Sequence, residues 1–487
     1  MKFINKTLIG LLTTMLLLST GCEKFLTEEP TSDLTNTTVL QDVTGLNLLL
    51  QGTYRMMRDG NNGSSDNPAT SSPLGIKLLS TVSGLDMMVN QEQVGNNWYF
   101  YTYSNQRYDA TSGVTSTMWT TMYRVINNTN IILENVDQAI GGQSEKNAIK
   151  GQALALRARC YFNLVRMYQH TYIIAKDKPG VPLQLTSDLN PKARATVEEV
   201  YNQIIADLTN AETLLIDFNR PSINYYNVDV VNFLLAEVYL TIEDWVNAQK
   251  YANRIRTNYE LMTTGEYKAG FSSPNKEWVL GYEQGSQDYW WYDSPACWFD
   301  FGQNNAPWQA EQILPSNYFV EVIMKDDPRA LFIENPLYPG KYAATKFREL
   351  RDEPPYGHLY DFRAAEMYLV EAEAAARQND LQTALQVLNT LQQERGAAVT
   401  STSSQEALID AILLERRKEM WGEGLEWFDI LRLQLSVERT SAQGHYQNVS
   451  VPKNSNKLIL MIPEKEVINN RSLEQNPNPS QVPVFVP

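Results

Sequence analysis

The chain is poor in the residues that most often carry chemistry or cross-link a fold. Its 487 residues include three cysteines and three histidines, which are Cys22, Cys160, Cys297, His170, His358 and His445. The cysteines show no CxxC or metal-ligand spacing and are too few for a disulfide framework. The histidines stand far apart and form no HExxH-type motif. We therefore predict no metal site and no resident cofactor.

Positive charge and long apolar runs are also scarce. Lysine and arginine total 41 against 56 acidic residues, which gives a net charge of −15 and a pI near 4.9. Such a surface repels phosphates, so we predict that nucleic acid is not a partner. After residue 21 no apolar run approaches the roughly 20 residues that span a bilayer. Hydrophobic residues make up 43% and charged residues 20%, as in a folded globular protein.

The first 21 residues have the layout of an export signal. Two lysines precede a short apolar run, Leu8 to Leu18, and small residues then lead into Cys22. This end resembles a bacterial lipobox, although Ser19 stands where leucine is usual. Acylation of Cys22 would tether the chain to a membrane face. The alternative is an ordinary signal peptide with a chance cysteine.

The body of the chain has helical periodicity over about 116–260 and 357–435. Two stretches, residues 234–255 and 370–391, share one pattern: an alanine, an aspartate eight residues later, an apolar residue next, and an alanine three further on. The aspartate is placed to cap the second helix of a pair. The pattern resembles tetratricopeptide units, which must stack to bury their faces.

The predicted fold is therefore mainly α, with three or four stacked helix pairs. Residues 196–215 supply a further helix, and about 265–356 form a loop-rich insert at the ligand face. The runs "KLLSTVSGLDMMV" (77–89) and "NKLILMIP" (456–463) are expected to add minor strands.

Some residues that attract attention have structural interpretations. Cys160 lies on an apolar helical stripe, so we expect a buried thiol. Glu371 and Glu373 are two positions apart and face different ways on a helix, so they cannot flank one glycosidic bond. The charged run "ERRKEMWGEGLEWFDILRL" (415–433) is expected to form a buried ion network rather than a catalytic site. Carboxylates such as Asp326 form no EF-hand loop, and bound calcium stays open.

Aromatic residues crowd two stretches that lack regular periodicity, "NNWYFYTYSNQRYD" (96–109) and "DYWWYDSPACWFDFGQNNAPWQ" (288–309). A sugar ring presents an apolar C–H face to an aromatic ring and hydroxyls to nearby polar side chains. We therefore predict a ligand-binding aromatic platform of Trp98, Tyr101, Trp290, Trp291, Trp298 and Trp308. Two alternatives remain: "WYFYTY" could be a strand with half its rings packed, or the rings could contact a protein partner.

Several runs together resemble the SusD/RagB-like family of outer-membrane nutrient-binding lipoproteins. They are "CEKFL" at Cys22, "GQALALRARCYFNLVRMY" (151–168), "YDFRAAEMYLVEAEAAARQND" (360–380), the run at 415–433 and "LILMIPEKEVINNRSLEQNP" (458–477). Two departures stand out. Glu426 occupies a place that is often basic in the family, and the usual closing "QNPGY" reads "QNPNP".

The resemblance implies a single SusD-like domain, residues 22–487, with four tetratricopeptide-like pairs. It implies a lipid-anchored protein on the outer face of the outer membrane, without enzymatic activity. Such proteins form a lid on a SusC-like TonB-dependent barrel transporter and pass it oligosaccharides, or peptides in some lineages. The alternatives are a protein-interaction scaffold that binds only peptide or transporter, and a surface glycoside hydrolase.

Overall fold

Helices dominate the parts of the chain that the structure describes. The computed structural model describes residues 40–58, 73–90, 103, 110–188, 190–271, 274–283, 298–299, 313–347 and 358–479. The α-helices in these ranges are α1 (Val43–Arg58), α2 (Pro73–Ser83), α3 (Gly113–Asn135), α4 (Gln143–Tyr168), α5 (Tyr172–Ala175), α6 (Val197–Leu215), α7 (Val228–Thr241), α8 (Trp245–Asn258), α9 (Thr264–Lys268), α10 (Ala364–Arg377), α11 (Leu381–Glu394), α12 (Gln405–Glu419), α13 (Glu426–Arg432) and α14 (Glu464–Asn469).

The longer helices form one continuous stack. In chain order α3 packs on α4, α4 on α6, α6 on α7, α7 on α8, α8 on α10, and α10 on both α11 and α12. Helix α10 carries six alanines, all buried, and their small side chains let three neighbouring helices approach it closely. This stack confirms the predicted mainly α fold. No helix within the described ranges is both long and apolar enough to cross a membrane.

The two stretches with the shared alanine and aspartate pattern fold alike. The turn before α8 has Glu243 at φ 62°, and the turn before α11 has Asn379 at φ 64°. Asp244 then accepts a hydrogen bond from the amide of Asn247 at 3.1 Å. In the second turn, Asp380 accepts from the amide of Thr383 at 3.2 Å. The predicted capping role of the aspartates is confirmed.

Short strands occur in four antiparallel pairs among the described residues. The strands are β1 (Met87–Val89), β2 (Trp278–Tyr282), β3 (Ile313–Pro315), β4 (Phe332–Glu334), β5 (Tyr342–Ala344), β6 (Leu359–Arg363), β7 (Val437–Arg439) and β8 (Val449–Val451). They pair as β1 with β3, β2 with β6, β4 with β5, and β7 with β8. The described part of 265–356 thus consists of loops and short elements, as predicted.

Four details differ from the sequence-based expectation. Helix α1 precedes the predicted start of the helical body, and α3 begins at Gly113 rather than near 116. The apolar run 77–89 is helical through Ser83, and only Met87–Val89 form a strand. The run 456–463 contains a 3₁₀ turn and no strand. Alternation over so few residues cannot separate a strand from a buried helix end.

Apolar packing among the described residues forms three clusters: a large helical one, a mainly aromatic one near the insert, and a third between α10, α11 and α12. The first holds Cys160, where burial raises the pKa of the thiol to about 12, and the predicted buried thiol is confirmed. The second surrounds β1, β2 and β3 and is called the aromatic cluster below. Among the tryptophans outside the predicted platform, Trp119, Trp278, Trp421 and Trp427 are buried and Trp245 is half-buried.

Candidate ligand-binding site

Most of the predicted aromatic platform lies outside the described residues. This applies to Trp98, Tyr101, Trp290, Trp291 and Trp308, and also to Cys22. The described residues that border the two aromatic stretches nevertheless have defined positions. They show from which part of the fold each stretch departs.

The pair β1–β3 brings the borders of the two stretches together. In its register Val89 lies opposite Ile313, and Met87 lies opposite Pro315. Residues 91–102 follow directly after Asn90, and residues 300–312 end directly before Ile313. Chain segments about 200 residues apart in sequence therefore join the fold at one end of a single strand pair.

The aromatic cluster contains described residues from both stretches. Tyr103 belongs to the first stretch, and Trp298 and Phe299 belong to the second. Trp298 is 4% exposed, so its ring packs in the interior rather than presenting an open face to a ligand. The Phe299 ring lies 4.9 Å from the Phe347 ring, centroid to centroid. For Trp298 the structure thus favours a packing role in the aromatic cluster over an exposed place on the platform.

Tyr103 is held by two side chains from the C-terminal hairpin of β7 and β8. Arg439 donates from Nη1 to the Tyr103 carbonyl oxygen at 2.7 Å, and its guanidinium carbon lies 4.7 Å from the centre of the tyrosine ring. The Tyr103 hydroxyl lies 3.0 Å from His445 Nδ1. His445 Nε2 lies 3.1 Å from the carbonyl oxygen of Leu85. Because that carbonyl can only accept, Nε2 carries the proton and Tyr103 donates to Nδ1.

The same hairpin contacts the other border of residues 91–102. The Tyr446 hydroxyl donates to Asn90 Oδ1 at 3.1 Å. Lys341 supports this tyrosine, since its ammonium lies 4.7 Å from the ring centre and donates to the Gly444 carbonyl at 2.7 Å. The described neighbours of this stretch are therefore fixed at both ends by one hairpin. The sequence did not predict this arrangement, because residues 437–451 contain no local pattern that indicates contact with residues 90–103.

A buried ion network connects the helix stack to the insert beneath the aromatic cluster. Arg363, the last residue of β6, donates to the carboxylates of Glu277 at 2.9 Å and Glu419 at 2.7 Å. It also forms a bidentate pair with Glu423 at 2.8 and 2.6 Å. The network continues through Arg329, Lys346, Arg395 and Glu415. Each of these ions is almost completely removed from solvent.

Opposite charges keep this network ionised. Burial raises the pKa of Glu419, but Arg395, Arg363 and Arg329 outweigh it and hold the pKa well below its ordinary value. Burial lowers the pKa of Lys346 to about 8, against the opposing effect of Glu423. Every carboxylate here already has a cationic partner, so none is free to act as a general acid or base. The predicted ion network is confirmed for Glu415, Glu419 and Glu423 of run 415–433.

Two glycines place Glu423 in this network. Gly422 and Gly424 have φ angles of 73° and 80°, a region that favours glycine. A Cβ at Gly422 would lie 2.7 Å from the Phe347 ring. The Trp-Gly-Glu-Gly sequence therefore turns the chain after α12 so that the glutamate points inward.

The remaining carboxylates that the sequence singled out are structural. Glu371 pairs with Arg256 at 2.6 Å, and Glu373 pairs with Arg432 at 2.8 Å. They face different neighbours, as their spacing predicts. Within the described ranges, no group of three or more histidine, cysteine or acidic residues is arranged to hold a metal ion.

Comparison with known families agrees with this architecture. Residues 24–251 match a family model described as "Starch-binding associating with outer membrane", and residues 356–478 match one described as "SusD family". The chain belongs to the SusD/RagB-like family. The region that matches the "SusD family" model, residues 356–478, includes β6 and α10 to α13 and hence much of the buried ion network.

Individual relatives align over nearly the whole chain. SusD-like protein P2 of Formosa agariphila is 24% identical over 98% of this chain and 99% of its own length. A SusD-like carbohydrate binding protein of Bacteroides vulgatus has a solved structure with a TM-score of 0.77 at 27% identity, covering 89% of this chain and 97% of that one. A SusD superfamily protein of Bacteroides thetaiotaomicron, at 24% identity, has the same fold with a TM-score of 0.75 over 90% and 100% of the two chains.

Proposed function

We propose that this SusD-like protein captures an oligosaccharide at the cell surface and delivers it to a SusC-like TonB-dependent barrel transporter. It performs no chemistry on the ligand. Family membership supports carbohydrate binding and association with the outer membrane, and a relative is named for carbohydrate binding. The transporter, the lipid anchor and the absence of catalysis are the further steps of the proposal.

The observation that carries the proposal is the convergence of the two aromatic stretches on β1 and β3. Asn90 and Ile313 leave the same end of that pair, and Tyr103 and Trp298 are both rooted in the aromatic cluster. Rings from two distant stretches can then act on one ligand. A sugar needs such a combination, because stacking rings and polar side chains must approach it from several directions.

Within this site the platform consists of Trp98, Tyr101, Trp290, Trp291 and Trp308. The buried Trp298 supports them from below and does not itself stack on the sugar. Polar groups come from the asparagine, aspartate and glutamine residues between the rings. Aromatic rings suit this task because they offer large contact area and lose little conformational entropy on binding.

Attachment to the outer membrane proceeds through acylated Cys22, with the folded domain on the external side. The mature chain would then carry several acyl chains, which hold a protein firmly where a single chain does not. Mass spectrometry of the membrane-extracted protein tests this step. Acylation predicts an N-terminal peptide that starts at Cys22 and carries lipid, and Cys22→Ser should abolish both the lipid and the membrane association.

The binding function is tested by isothermal titration calorimetry of residues 23–487 against plant, host and microbial polysaccharides and a set of peptides. We expect binding to one class of polysaccharide. Incubation with the bound polysaccharide should release no new reducing ends, whereas a hydrolase would release them. Lack of binding to every sugar and peptide would contradict the proposal and favour the scaffold alternative.

Delivery to the transporter is tested separately by purifying the full-length lipoprotein from its native membrane. We expect a TonB-dependent barrel to copurify in a fixed ratio. Binding of glycan without any barrel would leave the capture step standing and refute the delivery step.

A further inference from the structure

Two side chains of the C-terminal hairpin each connect the chain before β1 with Tyr103. Arg439 donates from Nε to the carbonyl oxygen of Gly84 at 2.9 Å and from Nη1 to that of Tyr103 at 2.7 Å. His445 makes a second bridge, because its Nε2 donates to the Leu85 carbonyl at 3.1 Å and its Nδ1 accepts from the Tyr103 hydroxyl at 3.0 Å. These four hydrogen bonds, called the clamp below, join two points of the chain that have β1 between them.

The side chains of the clamp are closed off from solvent. Arg439 and Tyr103 are each 1% exposed, and His445 is 4% exposed. A bound polysaccharide therefore cannot contact them. Any influence of the clamp on a ligand must act through the backbone that it holds. A guanidinium that donates to carbonyl oxygens is a strong holder, because a charged donor makes stronger hydrogen bonds than a neutral one.

The same hairpin also holds the chain on the other side of residues 91–102. Tyr446, which follows directly after His445, donates from its hydroxyl to Asn90 Oδ1 at 3.1 Å. The clamp holds the residue that comes after this segment, and Tyr446 holds the residue before it. The segment contains Trp98 and Tyr101 of the proposed platform.

The tip of the hairpin is itself fixed to the insert. Lys341 donates to the Gly444 carbonyl at 2.7 Å. Gly444 has a φ angle of 91°, and a Cβ there would lie 2.8 Å from Asn317, so only glycine fits this approach. Asn317 donates in turn to the Gly340 carbonyl at 3.0 Å. The clamp is thus carried by an element that has little freedom to move.

Fixed ends have a consequence for ligand binding. A chain segment that contacts a ligand loses conformational freedom when the ligand binds, and this loss weakens the measured affinity. A segment whose two ends are already held has fewer conformations to lose. Hydrogen bonds at the ends of residues 91–102 should therefore raise the affinity for a ligand that they never touch.

We propose that Arg439, His445 and Tyr446 are positioning residues for the glycan site and set its affinity through residues 91–102. This inference rests on the proposed function, because it takes Trp98 and Tyr101 to contact the sugar. It goes beyond that function in assigning part of the affinity to the hairpin of β7 and β8, which belongs to neither aromatic stretch.

The test is isothermal titration calorimetry with the polysaccharide that the natural chain binds. Replacement of Arg439 would remove the donor of two buried carbonyls and risk unfolding, so the variants are Tyr103→Phe and Tyr446→Phe. Each removes one hydroxyl and retains its ring. We expect each to raise the Kd about three- to ten-fold, since the segment is then held less firmly.

The matched control is Tyr123→Phe in the helix stack. The Tyr123 hydroxyl donates to the Pro182 carbonyl at 2.8 Å, and the side chain is half-buried, like that of Tyr446. The control therefore loses a hydrogen bond of the same kind at a place that is not connected to residues 91–102. Its Kd should equal that of the natural chain.

A double-mutant cycle separates positioning from a general loss of structure. Tyr103→Phe is introduced into a chain that already carries alanine at Trp98 and Tyr101. If the clamp acts through these rings, its loss should now change the Kd less than about two-fold, because there is no longer a contact to position. A general loss of structure would weaken binding by the same factor in both backgrounds.

Three results would overturn the inference. They are an unchanged Kd in both Tyr103→Phe and Tyr446→Phe, an equal loss in Tyr123→Phe, and an equal effect of Tyr103→Phe in both backgrounds. In each case the natural chain binds glycan and the proposed function stands. If the natural chain binds no glycan, the proposed function fails and this inference fails with it. Circular dichroism melting of each variant confirms that it remains folded.

Discussion

The helix stack and its junction with the insert are stabilised by different kinds of interior. Helices α3 to α8 pack mainly through apolar side chains, with Leu156 and Cys160 completely buried, and they bury single ion pairs such as Arg157 with Asp207. The junction instead buries a connected cluster of ions, with Arg363 at its centre. The difference follows from element length. Helices of 14 to 26 residues have broad apolar faces, whereas strands of three to five residues have little apolar area to bury. Directional ion pairs therefore fix the short strands in place.

The largest effect is expected at the centre of the junction. Arg363→Met should destabilise the fold by about 3–5 kcal/mol, because Glu277, Glu419 and Glu423 would each keep a buried charge after losing one of their cationic partners. Urea denaturation measures this change. The control Lys150→Ala removes a solvent-exposed pair with Asp137 and should cost less than about 1 kcal/mol. Equal effects of the two variants would show that burial of the network is unimportant.

A comparable loss of stability is expected when a fully buried leucine in the interior of the helix stack is truncated. Leu156→Ala removes a fully buried side chain and should cost about 2–5 kcal/mol, depending on how far the neighbours close the cavity. Its effect should vary little with pH, whereas that of Arg363→Met should fall in acid as Glu419 and Glu423, whose pKa values Arg363 helps to lower, become protonated. Denaturation at pH 7 and at pH 4 distinguishes the two. If the effects of both substitutions changed with pH in the same way, the proposed difference between the helix stack and the ion-rich junction would be wrong.

Acid should weaken the hairpin that holds Tyr103. Burial, with Arg439 adding to it, lowers the pKa of His445 to about 4, below its ordinary value of 6.5. Between pH 4 and pH 6.5, His445 is protonated in the unfolded chain but neutral in the folded chain. The stability from neutral His445 is thus complete above pH 6.5 and is lost as pH falls toward 4, by about 3 kcal/mol.

The matched variant for this effect is His445→Gln, which retains a donor and an acceptor but does not titrate. Thermal melting between pH 7 and 4 should show a steeper decline for the natural chain than for the variant. Identical declines would mean that His445 does not titrate in this range.

The smallest effect is expected at the two helix caps. Asp244→Ala and Asp380→Ala should each cost about 1 kcal/mol, because each removes one side-chain acceptor from a helix amide. The costs should be similar, since the two turns have the same geometry. Replacement by asparagine should restore most of the stability in both. A loss several times larger at one turn would show that the repeats are not equivalent.

The features that the sequence predicts lie mainly in the helix stack, and those that it does not predict lie mainly at the junction with the insert. The helix pairs were predictable because apolar period, alanine positions and capping aspartates act within about 25 residues. The structural role of run 415–433 was predictable from its charge spacing. The partners of Arg363 were not, because Glu277 and Glu423 lie 86 and 60 residues away. Contacts of this kind depend on tertiary folding and leave no local pattern.

The candidate site shows the same limit. Composition predicts ligand contact in both aromatic stretches. It also predicts an exposed Trp298, whereas that ring is buried in the aromatic cluster. The approach of the two stretches depends on the pairing of Val89 with Ile313, which three-residue strands do not reveal in sequence. Arg439 and His445, which hold Tyr103, are likewise more than 330 residues away from it in sequence.

The most direct test of the central claim is calorimetry with the polysaccharide that the natural chain binds. The variant carries alanine at Trp98, Trp290, Trp291 and Trp308, and the control is Trp245→Ala on helix α8. We predict that the four-fold variant loses affinity by about 100-fold or more while remaining folded, and that the control retains it. Unchanged affinity in the four-fold variant would contradict the claim that the aromatic stretches converging on β1 and β3 form the ligand site.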